Sequence, residues 1–208
     1  MFPFPFSFLS GAAPDVPVDR IANAKAMSFN GTDAYIKTSN STAYSSYSIS
    51  CWINADTFSN FTRLVSLDST NHRFLGLHGD GTLISGYKTG GWSELFTTST
   101  ITIGSWNHIV LVDDGTNTKI YVNKVENILS NSIAVDGPNY YIGSYEGTGN
   151  FFNGSIDEVA IFNTALSAEK ITQIYDATAV VGGVPQTANL FTGGLDSSLV
   201  YWNRMGDS

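Results

Sequence analysis

Cysteine is almost absent from this chain. The one thiol, Cys51, cannot close an intrachain disulfide, so the fold must be held by packing rather than by staples. It lies between apolar residues in SISCWI (48–53), where a buried core thiol is expected. Basic residues are scarce as well. Ten Lys and Arg stand against 18 Asp and Glu, a formal net charge of −8. That argues against a nucleic-acid partner held through its phosphates and against an anionic membrane surface. No apolar run approaches the roughly 20 residues of a membrane span, so no membrane insertion is expected. The opening MFPFPFSFLSGAA is apolar but has no basic start, and its prolines interrupt any helix. It is therefore not read as an export signal.

Catalytic signatures are missing too. There is no Gly-x-Ser-x-Gly, no phosphate loop and no Cys/His cluster. His72, His78 and His108 have neither an adjacent nucleophile nor metal-ligand spacing, and a structural role is expected for each. Glycoside hydrolysis needs two carboxylates that flank one bond. Asp157-Glu158 comes nearest, but neighbouring residues of a strand face opposite sides of the sheet. Asp113-Asp114 fails in the same way and sits at a turn. No catalytic residue is assigned, and an enzyme is not expected.

What the chain does hold is β-structure. In WNHIVLVDDGTNTKIYVNKV (106–125), two runs rich in β-branched residues flank turn-forming Asp, Gly and Asn, which reads as an antiparallel hairpin. Trp106, His108, Val110 and Val112 share one face of the first strand. Asn107, Ile109, Leu111 and Asp113 share the other. Both faces are apolar in mid-strand, so a strand covered on both sides is expected. Ala26–Phe29 and Ala34–Lys37 read as an opening hairpin through Asn-Gly-Thr-Asp. Further strands are expected at Tyr47–Asn54, Arg63–Leu67, Arg73–Leu77, Thr82–Tyr87, Trp92–Thr98, Asn127–Val135, Tyr140–Ser144 and Gly154–Phe162. One helix follows, capped by Ser167 and carrying an apolar stripe of Ile171, Ile174 and Tyr175 to about Thr178. Many short strands separated by Gly, Asn and Asp turns indicate an all-β sandwich.

Residues 1–19 form an extended apolar, Pro-rich arm in this reading. Phe2, Phe4, Phe6, Phe8 and Leu9 either fold back on the sandwich or dock onto a neighbouring subunit. The sandwich spans 20–178, a Gly- and Pro-bearing linker 179–194, and a strand-like tail 195–208.

Three stretches carry a family resemblance: W-x-H-I-V-L-V-D-D-G…K-I-Y-V-N at 106–123, NGSIDEVAIFNTALS at 153–167, and FNGTDAYI at 29–36. Together they resemble the central hairpin, closing strand and opening hairpin of laminin-G-like, concanavalin A-type jelly rolls. The resemblance frames about residues 24–177. It implies a two-sheet antiparallel jelly-roll sandwich with one short C-terminal helix. The tail LDSSLVYWNRMGDS resembles the start of another such module, of the kind found in bacteriophage structural proteins. The resemblance also implies a calcium site, for which Asp157 with Asn30 and Asp33 are the candidates. The alternative is that Asp157 is a hydrogen-bond clamp between loops.

For sugar binding, exposed aromatics beside polar side chains are the usual ingredients. Tyr87, Trp92, Tyr145, Glu146 and Asn150 are the candidates, set against a role in the core. The leading expectation is a non-enzymatic virion-associated protein, a phage decoration or fibre component, assembled with other virion subunits and binding host glycans. The alternative is a carbohydrate- or protein-binding domain of a secreted bacterial adhesin or multidomain glycan-degrading protein, at the cell surface or outside the cell. If the arm docks between subunits, deleting residues 1–12 leaves a folded monomer that no longer joins its assembly. Native mass by light scattering tests this, and unchanged assembly would reject it.

Overall fold

The computed structural model describes residues 18–21, 23–39, 43–68, 72–88, 91–129 and 139–205. The expected docking residues Phe2, Phe4, Phe6, Phe8 and Leu9 lie outside that set. The strands are β1 (Asp19–Ile21), β2 (Met27–Asn30), β3 (Ile36–Ser39), β4 (Tyr47–Ala55), β5 (Thr62–Asp68), β6 (Phe74–Leu77), β7 (Thr82–Lys88), β8 (Trp92–Thr100), β9 (Trp106–Asp113), β10 (Thr118–Val122), β11 (Val125–Ile128), β12 (Asn139–Ile142), β13 (Asn153–Phe162), β14 (Thr187–Asn189) and β15 (Leu199–Asn203). Among the described residues the one α-helix, α1, spans Ala168–Ala177.

Two antiparallel sheets face each other. One has seven strands in the order β11-β10-β9-β4-β13-β15, with β2 also paired to β13; the other has six, β3-β12-β5-β6-β7-β8. The main core lies between them, around Ile49, Leu64, Leu75, Ile109, Ile142 and Ile161. A second apolar layer covers the outer face of the seven-stranded sheet. There Val110, Val112, Ala160 and Phe162 meet Ile171 and Ile174 of α1. This explains the doubly apolar β9: its odd residues face the sandwich core and its even residues face the helix. The fold is the all-β two-sheet antiparallel sandwich with one short C-terminal helix that the sequence implies.

Local chemistry sets most element ends. Ser167 caps α1, its side chain accepting from the Lys170 amide, and Thr178 closes the helix with its amide donating to the Ile174 carbonyl. Tyr175 is only half buried and packs against the Trp52 and His108 rings, which also touch each other. The turn from β10 to β11 holds both central residues, Asn123 and Lys124, at positive φ. That twist suits a two-residue hairpin.

Three expectations change. The first hairpin is not one: β2 pairs with β13 in one sheet, and β3 pairs with β12 in the other. The Asn30 side chain accepts three backbone N–H bonds, from Thr32, Asp33 and Ala34, and turns the chain across the sandwich edge instead. Trp106, at the start of β9, is half buried and donates to the Gly183 carbonyl. The stretch expected as a linker, 179–194, carries β14, which pairs with β1, and buries Gln186, Thr187, Ala188 and Leu190. The tail after it is part of this sandwich. β15 pairs with Val159–Phe162 of β13, and Met205 is fully buried.

One buried ion pair ties the two sheets together. Arg73, at the entry to β6, bonds Asp113 of β9 at 3.1 Å, with both side chains fully inaccessible. The same guanidinium donates to the Tyr47 hydroxyl at 2.7 Å and to the Thr118 hydroxyl. Burial pushes the Tyr47 phenol up to about 12. Removing one partner of a buried pair leaves the other charge uncompensated. Arg73→Met is therefore expected to destabilise the domain by about 3–5 kcal/mol, read as a lower urea midpoint.

His108 yields a second expectation. Its Nε2 lies 2.9 Å from Ser50 Oγ beneath α1. Burial pulls the imidazole down from 6.5 to about 3. As pH falls through 6.5, the unfolded chain takes up a proton that the folded chain refuses, so stability is lost with acidification. One such proton contributes a slope of at most about 1.4 kcal/mol per pH unit. His108→Gln should flatten the fall in melting temperature between about pH 6.5 and 5, just above the carboxylate range. An unchanged slope would reject it.

Candidate functional site

The outer face of the six-stranded sheet carries a cleft of about 490 Å³ lined by Phe61, Arg63, Trp92, Glu94, Tyr145 and Asn150. Its floor depends on a missing side chain. Gly86 of β7 stands opposite Phe74 of β6, and a Cβ on Gly86 would overlap the Phe74 ring. With glycine there, the ring lies flat on the sheet. The Arg63 guanidinium then stacks on that ring, 3.4 Å from its centroid. β8 supplies one wall. Trp92 and Glu94 are two apart on this strand, so both project to the cleft side.

The opposite wall is the β12–β13 connection. Tyr145 and Gly149 bridge each other, and the Asn150 carbonyl accepts from the Arg63 amide at 2.9 Å. Ser66 and Ser144 add further bonds at the loop base. Tyr145 stands edge-on to Trp92, with ring centroids 5.9 Å apart. Trp92 is 44% exposed, which is unusual for an indole already touching three other rings. Of the eight non-glycine residues at positive φ among the described residues, four are at or beside this cleft: Phe61, His72, Glu146 and Asn150. Such backbone costs of order 1 kcal/mol each and persists where surrounding structure imposes it, commonly at binding sites.

Arg63 is the cleft's most unusual group. It is 3% exposed, yet its Nη1 reaches only the Phe61 carbonyl, at 2.8 Å, and its Nε has no partner. Burial pulls its pKa down to about 10, partly offset by the nearby Glu94 carboxylate and Tyr145. It therefore stays charged at neutral pH. Glu94 makes no ion pair with it. Beside the cleft, His72 Nδ1 contacts the Glu146 carboxylate, and both side chains are about a quarter exposed. The Tyr145 hydroxyl lies 3.4 Å from the same nitrogen.

Of the five sugar-binding candidates, Trp92, Tyr145 and Asn150 therefore line one cleft, and Glu146 flanks it. Tyr87 does not. It pairs with Ser93 rather than with Trp92, so it faces the sandwich interior, where its ring lies beside the Arg73 guanidinium. Sequence reasoning missed Arg63, Phe61, His72 and Glu94. Glu94 had a signal, its period-two spacing from Trp92. Arg63 had none, because its burial depends on Phe74 and Gly86 from other strands.

The calcium candidates are not brought together. Asn153, the partner of Asn30, precedes Asp157 by four strand residues, roughly 13 Å. Asn30 spends its oxygen on backbone N–H groups and its amide on Asp33. Asp157 is fully buried on the other side, accepting from Asn23 Nδ2 and the Glu158 amide, each at 2.8 Å. These residues do not fit a hard cation, which wants six to eight oxygens. Among the described residues no group of three or more His, Cys, Asp or Glu side chains could hold a metal. The partners of Asp157 match the clamp alternative. The Ser50–His108 pair borders an enclosed space of only about 10 Å³, too small for a substrate.

Residues 30–172 match the family described as the concanavalin A-like lectin/glucanases superfamily, Laminin_G_3. No curated protein matches the chain in sequence. Solved structures share its fold. One is domain 4 of AbnA, a GH43 extracellular arabinanase from Geobacillus stearothermophilus, in complex with arabinotriose. It is 22% identical over 74% of this chain and 79% of that one, with a TM-score of 0.61. Another is the native heptameric SAP-like pentraxin from Limulus polyphemus, 15% identical over 78% and 90%, TM-score 0.59. A third is the CBM40 of the Ruminococcus gnavus IT-sialidase bound to α2,3-sialyllactose, 17% identical over 66% and 94%, TM-score 0.52. At such identities the likeness establishes the fold alone. The sequence match, however, covers more than half of the 208 residues, and the chain belongs to the laminin-G-like family of the concanavalin A-like lectin/glucanase superfamily.

Proposed function

We propose that this domain is a non-catalytic glycan-binding module and that the cleft between β8 and the β12–β13 loop is its binding site. The observation that carries the reading is the half-exposed Trp92, edge-on against Tyr145, lining a cleft of about 490 Å³ with charged and amide groups at its base and rim. Sugars present apolar C–H faces and a ring of hydroxyls. An indole covers the first, and Arg63, Glu94 and Asn150 suit the second. The loops that carry Tyr145 and Asn150 are bonded to the rigid sheet, which lowers the ordering cost of binding.

Two of the similar structures are sugar complexes of domains from glycan-active proteins. That supports a binding domain of a secreted or surface protein over the virion-appendage expectation. Weak single-site affinity then gains from repetition, since avidity exceeds it by about 10²–10⁴ when several copies engage at once.

A glycan array followed by calorimetry tests the reading. The wild type is expected to bind a subset of glycans. Trp92→Ala and Tyr145→Ala should each weaken binding at least about tenfold, equivalent to about 1.4 kcal/mol, while Trp92→Ala leaves the melting temperature almost unchanged. Tyr87→Phe should bind as the wild type does, because Tyr87 faces inward. Absence of any glycan ligand, or full binding by Trp92→Ala, would overturn the proposal.

A further inference from the structure

The cleft holds a donor and an acceptor that are unspent on each other. Arg63 is almost wholly buried at its floor, with one hydrogen bond to protein and an unpartnered Nε. Glu94 lines the same cleft and acts on Arg63 through space, but the two form no ion pair, and Glu94 makes no hydrogen bond among the described residues. A guanidinium and a carboxylate that close would ordinarily pair. Here the Phe74 ring holds the guanidinium flat from below, and Glu94 stands on a strand two away from the one that carries Phe74.

From this we infer that the cleft selects neutral sugars that present two adjacent hydroxyls, one accepting from Arg63 and the other donating to Glu94. The inference rests on the glycan-binding reading and names its ligand class. A hydroxyl is both donor and acceptor, so a neighbouring pair satisfies both groups at once. A sugar carboxylate could satisfy Arg63 alone, and it would bring a second negative charge beside Glu94 in a partly desolvated cleft. Glu146 adds negative charge at the flank, and the chain as a whole carries −8. Uronate-bearing and sialylated glycans are therefore disfavoured. Hydrogen bonds to charged groups are the stronger kind, so this pair, rather than Asn150, sets the selectivity.

The test uses the full chain and isothermal titration with two sets of probes: neutral oligosaccharides of arabinan, xylan, mannan and glucan, and acidic oligogalacturonides and sialyllactose. At least one neutral probe is expected to bind, with the acidic probes tenfold weaker or silent. Glu94→Gln should weaken the neutral ligand by roughly tenfold and improve binding of the acidic set. Arg63→Lys should also weaken the neutral ligand. Because Arg63 is buried and its variant could misfold, Glu94→Gln, at a partly exposed position, is the deciding variant. Preferential binding of an acidic probe, or an unchanged affinity in Glu94→Gln, overturns the inference. If Trp92→Ala still abolishes that binding, the cleft reading survives. If no probe of either set binds, the glycan-binding reading fails and takes this inference with it.

Discussion

Both hydrogen-bonding edges of β13 are occupied. β4 runs along one edge from Gly154 to Phe162, and two short strands share the other. β2 pairs with Asn153–Ile156 and β15 with Val159–Phe162, so segments near opposite ends of the sequence close the same edge. Between the two pairings the strand is bulged at Asp157-Glu158, where Glu158 takes a positive φ. Backbone groups at such a bulge lose their ladder partners. The Asp157 carboxylate accepts from the Glu158 amide there, and the two carboxylates are held in turn: Asn23 donates to Asp157, and Thr187 and Trp202 donate to Glu158. The buried acidic pair is thus a consequence of how the sheet is closed. It also explains why β14 and β15 pack where they do, since Thr187 and Trp202 each bring a donor to this gap.

The same economy shapes the other sheet. Its inner face supplies aliphatic residues to the core, and its outer face would be an ordinary polar surface but for Gly86. Lacking a side chain there, β7 lets Phe74 lie flat, and the flat ring lets a charged arginine be buried without a carboxylate bonded to it. Strand geometry then places Trp92 and Glu94 beside it. The cleft is therefore built on a rigid sheet, with loops adding only one wall. Backbone strain at Phe61, His72, Glu146 and Asn150 is tolerated because the loop bonds and the sheet hold these residues in place. The cleft's shape is thus set by the fold itself.

Arg63 and Arg73 show how different two buried arginines in one sheet can be. Arg73 faces the interior and has a bonded carboxylate, a phenol and a hydroxyl, all from the facing sheet. Its role is to fix the two sheets against each other. Arg63 faces outward, has one carbonyl, and lies under a cleft. Each keeps one buried nitrogen without a partner, Nη1 of Arg73 and Nε of Arg63, so the bonded carboxylate and the direction each faces separate the structural residue from the one proposed to face a ligand.

Short-range physics was fully legible in the sequence. Period-two alternation located most of the strands to within a residue or two and exposed β9 as covered on both faces. Ser167 and Thr178 marked the helix, and turn residues marked the hairpin after β9. Exposed aromatics beside polar residues pointed to Trp92, Tyr145 and Asn150. The limits have one cause. Alternation tells which residues share a face, but not which strand lies alongside or which sheet the strand joins. Hence β2 and β3 read as a hairpin although they belong to different sheets, and Tyr87 read as a partner of Trp92 although it points the other way. Asp157 read either as a metal ligand, from the family resemblance, or as a clamp between loops, because the bulge that buries it needs β2 and β15 in place. Arg63 could not be found at all: a charged residue in a strand ordinarily signals solvent, and only the stacking of Phe74 over Gly86, brought from two other strands, turns that position into the floor of a cleft.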